Sequence, residues 1–514
     1  MGRLGKIVES AFDIFERRVW QGAWILAVFF LSLFSILQRH ATELDGDAFY
    51  HAKIAMFLSQ GIIIKSFAWL PWTLLNNAFA DHHFLYHVLL VPFVKLGDPL
   101  VGLKVSVIFL ATLAALVYYA TLRSLFVRGA FWWTLAVFMT YPLLVRLNAA
   151  KALPLGLILL CLGIIALCRG KPWQVGFIQA IFVLSYGAWP LLLVIVLVYA
   201  GVHRIEQPRR AWQTAAAALL GAAVGLGLHP NFPAIIIFSW WQIFHFALIP
   251  GKVFSGVEWY PYEPIKFMIY HVWIFAVSAC LFVYAFLNGW VKKIFNDHRL
   301  LSLGLVGLGL LFLALFMKRY AEYFIPIGGL LLALAGENLR QAAETSPKAV
   351  SDKSAYRQII LVALILIFSE TIIQDISIVK KMDKQISREI SFTRLKSVSE
   401  WLAQSLPAGT IVANVYWDEF PELFYFNDRL RYASGLDPRF LIVASPDYAK
   451  VLYGLLIYRT DSKNKLYDYA RFVEEKNGPV YLLVSRRGKD LVNDLPSIGK
   501  LLYEDSEATV WLIN

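Results

Sequence analysis

Long apolar runs follow one another through most of the chain, and they limit the folds that it can adopt. A helix of roughly 20 apolar residues crosses a bilayer core, and its backbone polar groups pair within the segment. Overall, 58% of the residues are hydrophobic and 16% are charged, whereas soluble domains carry about 25% charge. The sequence therefore predicts a polytopic helical membrane protein of about eleven spans, at about 19–37, 100–122, 130–147, 152–168, 173–187, 188–202, 212–228, 266–287, 300–317, 321–337 and 358–376.

The formal net charge of +12 is explained by membrane topology and requires no nucleic-acid partner. Cytoplasmic loops of membrane proteins carry an excess of Lys and Arg. If the N-terminus is cytoplasmic, the basic residues fall in alternate loops: Arg123 and Arg128; Arg169 and Lys171; Arg204, Arg209 and Arg210; Lys292, Lys293 and Arg299; then Arg340, Lys348, Lys353 and Arg357. We therefore predict a multi-pass protein of the cell membrane with a cytoplasmic N-terminus and an extracytoplasmic C-terminal part.

The composition changes near residue 377. Beyond it, β-like runs such as "GTIVANVYW", "PVYLLVS" and "EATVWLIN" alternate with helical stretches. We predict a mainly α transmembrane domain over 1–376, with a long first outer loop at 38–99, followed by a soluble extracytoplasmic α/β domain over 377–514. The chain shows no internal repeat, which disfavours a transporter built from paired repeats.

The residues best suited to chemistry lie in the first outer loop. "ELDGDAFYH" places Asp45 and Asp47 directly after the first span, ahead of a predicted amphipathic helix, and "ADHHFLYH" places Asp81 and His83 before another apolar helix. Carboxylate oxygens and an imidazole suit a divalent cation, with Mg²⁺ or Mn²⁺ preferred where oxygens dominate. Such a cation can hold a phosphate leaving group as a Lewis acid.

Simpler interpretations of these residues stay open. Asp81 is a plausible N-cap for the helix that follows it, and Asp45 and Asp47 are equally consistent with solvated loop acids. His83 and His87 are one helical turn apart, as in half of a zinc motif, but the Glu of H-E-x-x-H is missing. The missing Glu therefore disfavours zinc hydrolysis.

Two of these stretches resemble motifs of the GT-C superfamily of integral membrane glycosyltransferases, most of all the oligosaccharyltransferase catalytic subunit and the protein O-mannosyltransferase group. "DGDAFYHAK" is similar to their first acidic motif, in which an acid precedes two aromatics and a basic residue; these places are filled by Asp47, Phe49, Tyr50 and Lys53. "DHH" is similar to the second acidic motif of the archaeal members. The resemblance implies a Mg²⁺ or Mn²⁺ ion held by Asp47, Asp81 and His83.

A third similarity lies in the C-terminal part. "EWLAQSLPAGTIVANVYWDEFPELFYF" resembles the segment that leads into the W-W-D-Y-G motif of oligosaccharyltransferases, although two of the five motif positions differ. The resemblance implies that Trp417 and Asp418 contact the acceptor, with Glu258 as the outer-loop acid that braces it. It also implies that Arg319, with Lys318 beside it, binds the donor phosphate.

The function implied by this resemblance is transfer of a sugar or glycan from a polyprenyl-phosphate or pyrophosphate donor. The transfer would take place on the outer face, to an acceptor that is a protein, a lipid or a glycan. It would invert the configuration at the anomeric carbon. Asp47, or Asp45 as the other candidate, would orient or deprotonate the acceptor. Two alternatives are a lipid or solute transporter, which predicts ionisable residues inside the spans, and a non-catalytic envelope-assembly protein.

Overall fold

The computed structural model describes residues 18–43, 45–245, 256–345, 379–457, 462–488, 491, 495–497 and 499–513. The predicted span at 358–376 lies outside these residues. The chain divides into two compact units, each assembled from stretches that are distant in sequence. The first unit comprises 1–40, 105–225 and 257–387, and the second unit comprises 41–104, 226–256 and 388–514.

The α-helices in chain order are α1 (Val19–Leu37), α2 (Asp47–Ser59), α3 (Leu75–Ala78), α4 (Phe84–Val94), α5 (Pro99–Ser124), α6 (Ala130–Phe138), α7 (Tyr141–Leu147), α8 (Leu153–Cys168), α9 (Pro172–Ser185), α10 (Pro190–His203), α11 (Pro208–Gly227), α12 (Ala234–Trp240), α13 (Pro264–Leu287), α14 (Val291–Asn296), α15 (His298–Phe316), α16 (Ala321–Thr345), α17 (Lys396–Ser405), α18 (Phe420–Phe426), α19 (Pro438–Ala444), α20 (Pro446–Ile457) and α21 (Ser462–Asn477). The strands are β1 (Thr42–Glu43), β2 (Ile390–Ser391), β3 (Ile411–Asn414), β4 (Arg431–Tyr432), β5 (Val480–Ser485), β6 (Gly499–Glu504) and β7 (Ala508–Ile513).

Four helices within the described residues, α1, α5, α13 and α15, are long and apolar enough to cross a membrane. A fifth candidate span is formed by α6 and α7 together, which are bent by 77° at the break between them. Helices α8, α9 and α10 coincide with predicted spans but have only 16, 14 and 14 residues, fewer than the roughly 20 that cross a bilayer without help. The membrane class is confirmed, and the total of about eleven spans stays a prediction.

Helix α16 is the centre of the first unit and packs against α6, α7, α13 and α15. It begins at Ala321, and Glu322 in its first turn is buried, where an acid interacts favourably with the helix dipole. The break between α6 and α7 is explained by Pro142, which lacks an N–H and fits the first turn of a new helix. The new direction of α7 carries Arg146 in its last turn.

The second unit contains a five-stranded sheet of order β4-β3-β5-β7-β6. β3 runs parallel to β4 and β5, whereas β7 is antiparallel to β5 and β6. The three predicted β-like runs form β3, β5 and β7, and the helices α17 to α21 lie between the strands in sequence, so the predicted α/β character is confirmed. β4 and β6 were not predicted.

The first outer loop and the C-terminal residues share one hydrophobic core. Phe67 and Phe79 from the loop lie in the same buried cluster as Leu395, Phe420 and Phe424. The last three belong to the C-terminal stretch 388–514, called the tail below. Strand β1 pairs antiparallel with β2, with Thr42 opposite Ser391. The compact units therefore do not divide at residue 377, where the composition changes, because the loop packs with the tail.

Helix α2 forms where a helix was predicted after Asp47, but it is not amphipathic. Every residue from Ala48 to Ala55 is buried, because α2 packs against both α4 and α18. Lys53 is among them: its Nζ lies 3.1 Å from the Asp428 carboxylate and donates to the Tyr425 carbonyl at 3.1 Å. The helix that starts at Asp47 is thereby fixed to the tail.

Candidate functional site

Three histidine rings converge in the second unit. His51 lies on α2, one turn after Asp47; His83 directly precedes α4, and His87 lies in its first turn. The Nδ1 of His51 is 2.7 Å from the Nε2 of His87, and each ring offers a nitrogen within 4.8 Å of those of the other two. His51 and His87 are buried and His83 is partly exposed. The arrangement can present three imidazole nitrogens to one ion.

Asp81 lies behind this histidine cluster. One oxygen of its carboxylate lies 2.8 Å from the Nδ1 of His87, and the other accepts the backbone N–H of His83 at 3.2 Å. Burial raises the pKa of Asp81, but the charge of His87 and the hydrogen bond from it outweigh burial, and the pKa falls below its usual range. An ionised carboxylate only accepts hydrogen bonds, so His87 carries its proton on Nδ1. Its Nε2 faces His51.

The capping interpretation of Asp81 is partly realised. Its carboxylate does accept a backbone N–H just before α4, but the residue that directly precedes the helix is His83. The same carboxylate also bonds to His87, which a simple cap does not require. The neighbouring His82 lies outside the histidine cluster, with its ring stacked on Phe238, and burial lowers its pKa to about 4.

The acidic loop, which carries Asp45 and Asp47, lies close to the histidine cluster in sequence. Its carboxylates are not part of that cluster. Asp47 is the first residue of α2, and its backbone N–H is accepted by the Asp45 carboxylate at 3.1 Å. Among the described residues, the ligand atoms that converge within 4.8 Å include neither Asp47 nor Asp81. The Asp81 carboxylate contacts the His83 backbone and the His87 ring, and the ligand atoms that converge belong to His51, His83 and His87.

A Mg²⁺ or Mn²⁺ ion therefore does not fit the histidine cluster well. These ions prefer oxygen ligands, whereas the cluster offers three nitrogens. The nearest carboxylate, that of Asp81, is already hydrogen-bonded to His87. The expected set of Asp47, Asp81 and His83 stays a prediction.

The acidic loop also touches the predicted acceptor motif. A Cβ placed on Gly46, between the two acids, would lie 3.0 Å from the backbone oxygen of Asp418. The Asp418 carboxylate is 2.7 Å from the guanidinium of Arg487, which in turn lies 4.5 Å from the ring centroid of Tyr416. Both Asp418 and Trp417 are partly buried. Two motifs far apart in sequence are thus adjacent within one unit.

Glu419, next in the chain, was not predicted as a site residue. Its side chain is fully buried, and one oxygen accepts the Ser485 hydroxyl at 2.5 Å. The other oxygen has no hydrogen-bond partner among the described residues. Burial raises the pKa of Glu419 to about 7, against the hydrogen bond from Ser485 and the charges of Arg394 and Arg487. The pattern "YWDEF" did not predict that Glu419 is buried, because its burial depends on strand β5.

The predicted donor residues lie in the first unit, in a cluster of cations and acids. Arg146 pairs with Glu258 and with Glu322, each at 2.6 Å, and Lys151 lies 3.6 Å from Glu258. The guanidinium of Arg319 stacks 4.3 Å from the ring of Trp259, and the Lys318 ammonium lies 5.6 Å from the ring centroid of Tyr262.

Glu258, predicted to brace the acceptor, is an ion-pair partner in this cluster. Burial raises the pKa of Glu258, but the charges of Arg146, Lys151 and Arg319 outweigh it, so the pKa lies well below the usual value. The structure thus groups Glu258 with the predicted donor residues. Its assignment to the acceptor stays a prediction.

No protein-family model and no curated protein match the sequence, but solved structures do. ArnT from Cupriavidus metallidurans in the apo state aligns at TM-score 0.53 and 14% identity, over 96% of this chain and 98% of that one. The same protein bound to undecaprenyl phosphate aligns at TM-score 0.54 and 13% identity, over 95% of this chain and 97% of that one. The Archaeoglobus fulgidus oligosaccharyltransferase, tethered to an acceptor peptide with the NVT sequon, aligns at 0.56 and 13%, over 97% and 74%.

A third similar protein is the arabinofuranosyltransferase AftD from Mycobacteria, with a TM-score of 0.56 and 15% identity over 97% of this chain and 40% of that one. All three proteins are GT-C glycosyltransferases. At these identities the likeness concerns the fold.

Proposed function

This chain has the fold of the GT-C membrane glycosyltransferases, and we propose that it transfers a sugar or glycan from a polyprenyl-linked phosphate or pyrophosphate to an acceptor. One similar structure holds undecaprenyl phosphate and another holds an acceptor peptide, which supports this general kind of donor and acceptor.

The observation that carries this proposal is the meeting of three motifs in the second unit. Helix α2, which begins at Asp47, packs against α4 after the "DHH" stretch and against α18 after the "YWDEF" stretch. Gly46 lies against the carbonyl of Asp418, and Lys53 binds Tyr425 and Asp428. Packing that brings together the segments that resemble functional motifs favours a site over three unrelated surface features.

We assign the acceptor-activating role to Asp47. Asp47 is a partly exposed residue at the start of α2, where a substrate can reach it. In an inverting transfer, the acceptor oxygen or nitrogen would attack the anomeric carbon from the face opposite the phosphate. The carbon–oxygen bond to the phosphate breaks, its electron pair leaves with the polyprenyl phosphate, and the acceptor proton passes to the Asp47 carboxylate.

We assign donor phosphate recognition to Arg319, with Lys318 beside it. A guanidinium binds phosphate oxygens through two parallel hydrogen bonds, and stacking on an aromatic ring holds its plane. Arg319 is stacked on Trp259 in this way. Arg146 is less suited to this role, because two glutamates already occupy its donors.

The test is transfer itself. The purified full chain is incubated with polyprenyl phosphates that carry radiolabelled sugars, with a membrane extract as the acceptor source, in buffers with Mg²⁺ or Mn²⁺. We expect label to move from the lipid to a new product with wild-type protein and to stay on the lipid with Asp47→Asn. If no donor loses label to any acceptor while the protein remains folded, the transfer function is rejected.

We also propose that the N-terminus is cytoplasmic and the second unit extracytoplasmic. In a background without Cys161, Cys168 and Cys280, a cysteine at exposed Ser405 should react with an impermeant thiol reagent in intact cells. A cysteine at Ile205, which is 84% exposed, should react only after permeabilisation. The reverse labelling pattern would invert the topology.

A further inference from the structure

We propose that His51, His83 and His87 bind Zn²⁺, or a similar borderline transition-metal ion, rather than Mg²⁺ or Mn²⁺. The test of this proposal measures bound metal and does not require sugar transfer. The inference starts from the mismatch between the oxygen ligands expected from the acidic motifs and the nitrogens that converge in the structure.

The ligand atoms decide the class of metal. Imidazole nitrogen suits Zn²⁺, Cu²⁺, Ni²⁺ and Fe²⁺, whereas Mg²⁺ and Mn²⁺ prefer carboxylate, carbonyl and water oxygens. Three protein ligands with a fourth position left for water or substrate is the usual pattern of a catalytic zinc site. His83 is the partly exposed member of the cluster, so solvent can reach the site from its side.

The two closest rings, those of His51 and His87, require only a small adjustment. Zinc–nitrogen bonds of about 2.0–2.1 Å at tetrahedral angles place ligand nitrogens about 3.3 Å apart. The Nδ1 of His51 and the Nε2 of His87 are 2.7 Å apart, so the two rings must separate by about 0.6 Å to admit the ion. A separation of this size is available to small changes in side-chain torsion angles.

Asp81 makes the hydrogen bond that usually supports a metal-binding histidine. Metal-binding histidines almost always donate their second ring N–H to a carboxylate, a carbonyl or water, which fixes the tautomer and aims the lone pair. The Nδ1 of His87 meets the Asp81 carboxylate at 2.8 Å. This leaves Nε2, the atom that faces His51, to bind the ion.

The competing interpretation is a hydrogen-bond chain without metal. In that case His51 donates from Nδ1 to the Nε2 of His87, which donates from Nδ1 to Asp81. Such a chain satisfies the buried nitrogens and needs no ion. The two interpretations differ in one measurable quantity, the metal that the protein holds.

The experiment uses the full chain in detergent with its affinity tag removed, because a histidine tag binds metal itself. The protein is stripped with a chelator, dialysed against Zn²⁺ and analysed by mass spectrometry for metal per chain; Co²⁺ replaces Zn²⁺ for visible absorption. We expect one Zn²⁺ per chain, retained in excess Mg²⁺, and Co²⁺ bands of a tetrahedral nitrogen site. The proposal would be overturned if the wild-type protein bound no more zinc per chain than the His51→Ala variant.

Matched variants locate the site. We expect His83→Ala, at the partly exposed position, and His87→Ala to lose the metal, and His82→Phe, which keeps a ring against Phe238, to retain it. Asp81→Asn keeps the shape; with its oxygen still accepting the His83 N–H, its amide nitrogen faces and donates to the Nδ1 of His87, so the His87 proton moves to Nε2. We expect zinc affinity about 10- to 100-fold lower. Wild-type affinity in both His83→Ala and Asp81→Asn would reject this ligand set, and equal thermal unfolding of the variants excludes misfolding.

Discussion

Both units bury carboxylates, and the pKa of Glu258 in the first unit moves in the opposite direction to those of Glu43 and Glu419 in the second. In the first unit, the pKa of Glu258 lies well below its usual value because Arg146, Lys151 and Arg319 outweigh the effect of burial. In the second unit, burial raises the pKa of both Glu43 and Glu419 to about 7. Glu258 is a fixed partner of cations, whereas Glu43 and Glu419 exchange protons near neutral pH.

This contrast fits different tasks. A phosphate group requires fixed positive charge, and the first-unit cluster contains Arg146, Lys151 and Arg319 against Glu258 and Glu322. Activation of an acceptor requires a proton acceptor and lone pairs, and the second unit supplies carboxylates and imidazoles. The following substitutions test the division, beginning with the largest expected effect.

Asp47→Asn should lower the transfer rate by about 10³-fold, because a positioned general base contributes about 10² to 10⁴. Thermal unfolding should change little, since the side chain is partly exposed. The matched control is Asp45→Asn, which keeps the oxygen that accepts the Asp47 N–H. If Asp45→Asn lowered the transfer rate strongly and Asp47→Asn left it unchanged, Asp45 would be the general base.

Arg146→Gln should destabilise the first unit by about 3 kcal/mol, because it leaves the buried carboxylate of Glu322 without its cation. Chemical denaturation in detergent measures the loss. The double variant Arg146→Gln with Glu322→Gln should recover most of it, since two neutral amides can pair. Failure of the second substitution to recover stability would show that Arg146 acts through Glu258 or through packing instead.

Glu419→Gln should remove a pH dependence of stability in the second unit. The folded-state pKa of about 7 lies above the unfolded value of about 4.3, so the folded state holds more protons between these values. Stability contributed by this proton is full below about pH 4 and is lost as pH rises to about 7. We expect wild type to lose about 3 kcal/mol relative to the variant across this window. Parallel stability curves would contradict the raised pKa.

Arg319→Lys should raise the KM for the lipid donor about 10-fold and leave kcat nearly unchanged, because Lys keeps the charge but loses the two parallel donors and the ring stacking. Lys318→Arg is the control at the neighbouring position and should change KM little. A fall in kcat at unchanged KM would place Arg319 in the chemical step and not in donor binding.

Local patterns were enough to predict much of the fold. The strands β3, β5 and β7 and the helix after Asp47 were visible because apolar alternation and periodicity are properties of adjacent residues. The packing of the first loop against the tail could not be predicted from such local patterns, because Phe67 and Phe420 come into contact only in the tertiary structure. For the same reason β4 and β6 were missed.

The site was partly predictable. Asp81 and His83 were selected from the sequence as metal ligands, and the Asp81 carboxylate accepts the His83 backbone N–H, but the ligand set itself stays a prediction. His51 was overlooked, although residues four apart share a helix face and His51 follows Asp47 by four, as His87 follows His83. Arg146 and Glu322 lie inside predicted spans, where the transporter alternative expects ionisable residues. They pair with each other at 2.6 Å.

The pairing of Thr42 with Ser391 has a consequence for biosynthesis. A ribosome that adds about 5–20 residues per second needs roughly 20–70 seconds to make the about 350 residues between these partners. During that time α2, whose first two turns are buried in the finished protein, has no tail to pack against. Nascent chains should therefore be vulnerable to proteases and depend on chaperones until translation ends, and truncation of the tail should lead to degradation of the whole chain.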